Sequence, residues 1–153
     1  MREVEKLLKV VRGYSPSASL STSKDGMGVA TSRIDVRCSV FGQAVNLQIF
    51  IEPSDFSIRL GDLLTVDKIE DDEVLTDDIS EFVADLLGAV KEQRAAVAEY
   101  ALFGRKAYAL NVTGSTLTGP RVHGHAHYET FTEAIIKKFG KRARSGRITF
   151  RES

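Results

Sequence analysis

The chain has 153 residues, 42% of them hydrophobic and 27% charged, enough for the core of a single ordinary domain spanning 1–153. No apolar run is long enough to span a membrane, so no membrane partner is expected. One cysteine, Cys38, excludes an internal disulfide and a cysteine-rich zinc site, and makes the reducing cytoplasm the expected setting. The net charge of zero hides an uneven layout: residues 62–99 hold 12 acidic and 3 basic groups, whereas residues 105–153 hold 3 and 10. Such asymmetry marks either binding surfaces or segments that face each other.

Val4, Leu7, Leu8 and Val11 recur at helical spacing and predict an amphipathic helix that Gly13 stops. This opening segment alternates charged and apolar residues and lacks the apolar core of a secretory signal. The Ser- and Gly-rich stretch YSPSASLSTSKDGMG reads as a loop or ragged strand. Next, Ile34, Val36, Cys38 and Val40 alternate with Asp35, Arg37 and Ser39. Val45, Leu47, Ile49 and Ile51 do the same beyond a turn at Phe41-Gly42. The pair predicts an antiparallel hairpin with one apolar face, on which Cys38 is a small buried hydrophobe. Residues 57–60 and 63–69 add one or two strands.

EDDEVLTDD (residues 70–78) then packs six carboxylates into nine residues. Asp78 and Glu81 resemble a capping box. From there Ile79, Phe82, Val83, Leu86, Leu87, Val90, Val97 and Ala101 fit one face of a long helix over 78–103. Tyr108, Leu110 and Val112 predict a strand, and RVHGHAHYE another. Thr130 and Glu133 cap a short helix that Gly140 closes. A basic loop follows, and a small strand around Ile148 and Phe150. The expected fold class is α+β: an antiparallel sheet packed by a long central helix and by shorter N- and C-terminal helices.

Three groups of residues are candidates for function. His123, His125 and His127 are all the histidines of the chain, and with Glu129 they share one face if the segment is extended. Same-face neighbours lie about 6.6 Å apart, so the outer histidines are about 13 Å apart. Zinc ligands sit about 2.0–2.1 Å from the ion, so a straight strand cannot give all three to one metal. His123-x-His125-x-x-x-Glu129 is similar to the first metal motif of cupins. No histidine follows His127 to complete such a site, and a helix start replaces the family's next strands. The cluster is therefore expected to be a polar, pH-sensitive face, with no resident metal or cofactor. Lys137, Lys138, Lys141, Arg142, Arg144 and Arg147 form a candidate anion-binding segment. Asp71, Asp72, Glu73, Asp77 and Asp78 form a candidate protein-binding surface that would steer a basic partner.

No complete catalytic set or phosphate-binding loop is present. The expected function is that of a small cytoplasmic protein-binding module, in the manner of an immunity protein or antitoxin that inhibits a basic toxin or nuclease. The alternative is a metal- or histidine-dependent hydrolase, a ribonuclease or a nucleic-acid-binding domain, built on His123–His127 and the C-terminal cations.

Overall fold

The computed structural model describes residues 2–52, 55–68, 76–113 and 131–151. The chain opens with α1 (Arg2–Tyr14), whose Val4, Leu7 and Val11 are buried as their spacing predicts. Five strands follow in a simple meander: β1 (Ser19–Lys24), β2 (Ala30–Val40), β3 (Gln43–Glu52), β4 (Asp55–Leu60) and β5 (Leu64–Lys68). Each pairs antiparallel with the next, giving the first sheet its order. The β2–β3 hairpin turns at Phe41 and Gly42, both with positive φ (56° and 72°). Two residues at positive φ match the twist of the flanking strands, and this turn places Val40 opposite Gln43 and Asp35 opposite Gln48.

After α2 (Thr76–Lys91) come β6 (Ala95–Leu102), β7 (Arg105–Val112), α3 (Phe131–Phe139), β8 (Lys141–Arg147) and β9 (Thr149–Phe150). The second sheet has the order β7-β6-β8, antiparallel throughout. β9 returns to the first sheet, pairing with Cys38 and Ser39 of β2. The apolar faces of β2, β3 and β4 meet Leu7 and Val11 of α1, Phe82, Val83, Leu86, Leu87 and Val90 of α2, and Ala95, Val97 and Val112 of the second sheet in one core. Full burial of each of these larger side chains contributes about 1.5–3 kcal/mol.

The long central helix expected over 78–103 is not present. Helix α2 ends at Lys91, residues 95–102 form β6, and the fold is mostly β, with two sheets and three short helices among the described residues. The cause is a helix stop without its usual signal. The Gln93 amide bonds the Val90 carbonyl and the Arg94 amide bonds the Ala89 carbonyl, the paired bonds of a Schellman motif. The left-handed position that glycine normally fills is held by Gln93, at φ 61°. Beyond it, AAVAEYAL is rich in alanine, the best helix former, so local propensity pointed the wrong way and tertiary pairing overrode it. A second correction concerns residues 141–147, expected as a basic loop, which form the edge strand β8.

Candidate functional site

Alternation in β2 and β3 builds two unlike faces. Ile34, Val36, Cys38, Leu47 and Ile49 turn to the core, and Arg33, Asp35, Arg37, Asn46 and Gln48 turn to solvent. The solvent side carries a shallow pocket of about 310 Å³, completed by Ser17 and Ser19 at the start of β1. Register explains its composition, because Asp35 pairs with Ser19 on one side and Gln48 on the other. Arg33 Nε donates to Asp35 Oδ2 at 2.9 Å, and Gln48 Nε2 donates to Asp35 Oδ1 at 3.0 Å. Both carboxylate oxygens are thus engaged inside the protein. Arg37 is exposed and makes no ion pair among the described residues. Two guanidinium groups against one satisfied carboxylate leave the pocket with an excess positive charge and spare donors. Such a lining can hydrogen-bond an acceptor-rich, anionic group. Beside it, the Arg59 guanidinium lies 5.3 Å from the Phe50 ring centroid, extending the polar face across β3 and β4.

The second constellation lies on the second sheet. Glu99 of β6 is only 4% exposed, and strand register brings Tyr108 and Arg144 to either side of it. Arg144 donates to Glu99 Oε2 from Nε at 3.1 Å and from Nη2 at 3.0 Å. Lys106 Nζ lies 3.9 Å from Oε1, and Tyr108, its register partner on β7, also favours the ionised form of the carboxylate. The Arg144 hydrogen bonds hold the Glu99 carboxyl below its ordinary pKa of 4.5, against the opposing effect of burial. Burial, then the neighbouring Glu99 carboxylate, push the Tyr108 phenol up from 10.0. Phe41, at the tip of the β2–β3 hairpin, lies over this group. Arg144 Cζ is 3.9 Å from its ring centroid, and the Tyr108 ring is 6.4 Å away at 45°. Gly146 makes room for it, since a Cβ there would come within 2.6 Å of the Phe41 ring. A carboxylate kept ionised and enclosed by its own chain is suited to tying β6 to β7 and β8, not to exchanging protons with a substrate.

The residues singled out in the sequence are placed unevenly. Asp71, Asp72, Glu73, His123, His125, His127 and Glu129 lie outside the described residues. Asp77 and Asp78 fall in the first turn of α2. Lys137 and Lys138 end α3, and Lys141, Arg142, Arg144 and Arg147 lie along β8. These cations do not form one patch: Arg144 is committed to Glu99, and Arg147 Nη1 donates to Gln93 Oε1 at 3.1 Å. Cys38 is fully buried, and desolvation pushes its thiol up to about 12 despite a hydrogen bond from the Leu47 backbone. It therefore stays protonated and is not a nucleophile. Among the described residues, no group of histidine, cysteine and carboxylate side chains is arranged to hold a metal ion. None of the described helices is long and apolar enough to cross a membrane. Comparison with protein-family models, curated proteins and solved structures finds no match.

Proposed function

We propose that the protein is a binding module whose solvent-facing side of β1–β4 docks a protein partner, with a carboxylate of that partner seated against Arg37. The observation that carries this reading is the polar pocket of Arg33, Asp35, Arg37, Asn46 and Gln48, in which the only carboxylate is already bonded through both oxygens. Its size is at the small end for ligand sites, and its polar lining differs from the apolar walls that enclose small molecules. The sheet face around it is broad and polar, as an interface rim is. The buried, unpaired Cys38 fits a cytoplasmic setting.

The acidic residues Asp71, Asp72, Glu73, Asp77 and Asp78 bring a dense run of the opposite charge in the sequence. On this reading they meet a basic partner, as an immunity protein or antitoxin meets a toxin or nuclease.

The test is recovery and cross-linking of partners from the native lysate with three proteins: wild type, Arg37→Glu, and a variant with the five acidic residues changed to Asn or Gln. The expected result is a partner cross-linked to β2 and β3 whose recovery falls at least roughly tenfold with Arg37→Glu. Equal recovery with Arg37→Glu overturns docking at the sheet face. Equal recovery with the neutralised acidic variant overturns the immunity-like reading.

A further inference from the structure

Two hairpin turns of this chain share one design and differ in one respect. Phe41-Gly42 and Phe103-Gly104 both place phenylalanine and glycine at positive φ, with Phe103 at 50° and Gly104 at 78°. The left-handed region disfavours a bulky side chain, and asparagine or aspartate usually precedes the glycine of such a turn. At Phe41 the choice is explained by contact with Arg144 and Tyr108. Among the described residues Phe103 has no such ring or cation contact, and it is 95% exposed. The fold bears the conformational cost of a phenylalanine there and buries none of the ring.

A second exposed ring lies at the same end of the sheet. Phe139, at the end of α3, is 66% exposed. Gly140 follows it and packs so closely on Ala101 that a Cβ would come within 2.7 Å of the Ala101 carbonyl oxygen. Phe103 is two residues beyond Ala101. Cations surround this tip. Arg105 pairs with Leu102 and Lys141 with Ala101 in the sheet, and Lys138 Nζ lies 5.4 Å from the Phe139 ring centroid. The described side chains of residues 100–113 and 135–151 include no carboxylate.

We infer that the β6–β7 tip is a peripheral docking site for an anionic lipid bilayer, with Phe103 and Phe139 entering the interfacial layer and Arg105, Lys138 and Lys141 meeting lipid phosphates and carboxylates. Exposed apolar rings within a set of cations match such a surface in both polarity and charge. A bilayer fits better than a nucleic acid. Leu102, Phe103 and Gly104 bring no side-chain donor or acceptor to read a base, and Phe103 stands at a convex apex instead of lining a groove. The site is independent of the Arg37 face and needs no membrane-spanning segment.

The chain contains no tryptophan, so Phe103→Trp installs a single fluorescent reporter at the apex. Its emission is expected to shift to the blue on phosphatidylcholine–phosphatidylserine vesicles, to stay unchanged on pure phosphatidylcholine, and to revert at high salt. Co-sedimentation of the otherwise unaltered protein with the anionic vesicles should fall roughly tenfold with Phe103→Ser, and again with Lys138→Glu and Lys141→Glu. All of these positions are exposed, and circular dichroism should show each variant folded. The inference is overturned if anionic vesicles leave the emission unchanged. It is equally overturned if the shift occurs without vesicles as protein concentration rises, or with a single-stranded oligonucleotide and not with lipid.

Discussion

At the scale of single residues, burial decides chemistry more than residue type does. Cys38 is the only thiol, and its position on the apolar side of β2 was readable from simple alternation. Burial raises its pKa from 9.0 to about 12, so the folded state favours the neutral thiol. Its contribution to stability is complete below pH 9 and is lost as pH rises toward 12. Native protein at pH 8 should leave Cys38 unreactive toward a disulfide reagent, and denatured protein should react with one equivalent. Fast reaction of the native state would show that the apolar face of β2 is open to solvent. Residues of the polar face were legible individually but not as a site. The Phe41-Gly42 turn fixes that Asp35 lies opposite Gln48 and Arg37 opposite Asn46. The contribution of Ser17 and Ser19 depends on β1, whose SLSTSK sequence has no apolar alternation to announce a strand.

At the scale of elements, the sequence was legible wherever local preference and tertiary demand agree. That holds for α1, the β2–β3 hairpin, β4, β7 and α3. It failed between residues 91 and 102, where no glycine or proline marks the end of α2 and alanine-rich β6 reads as helix. With β6 hidden, Phe103-Gly104 could not be recognised as a hairpin turn, so the pairing of Glu99 with Tyr108 was out of reach. The same stop gives a test. Gln93→Gly removes the side-chain conflict at φ 61° while sacrificing one exposed hydrogen bond from Arg147. It should stabilise the protein by about 0.5–1 kcal/mol, measured as a rise in the denaturation midpoint with unchanged slope. A loss of stability would mean that the Arg147 contact outweighs backbone strain.

At the scale of the whole molecule, the two sheets are joined by Phe41, which lies on Arg144 and Tyr108 beside Glu99, and by the short strand β9. Glu99 has its pKa lowered by Arg144, so its stabilising contribution is present above the ordinary value of 4.5 and is lost as pH falls through the lower native value. Glu99→Gln should flatten this acid limb and cost about 1–2 kcal/mol at neutral pH, the modest figure reflecting the half-exposed Arg144. Arg144→Met should cost more, about 3 kcal/mol, because it strands a buried carboxylate. The reverse order, read from urea denaturation, would refute the tie between β6 and β8. Strand β9 has a different consequence, one of timing. The Thr149 hydroxyl donates to the Ser39 carbonyl across 110 residues of chain, and β9 lies on the same side of β2 as β1. A ribosome adds about 5–20 residues per second. The upper part of β2 therefore waits roughly 5–20 s after its own synthesis for its last neighbour. During that interval its backbone edge is open to other nascent chains, and a chaperone that shields unpaired strands would have its clearest task there.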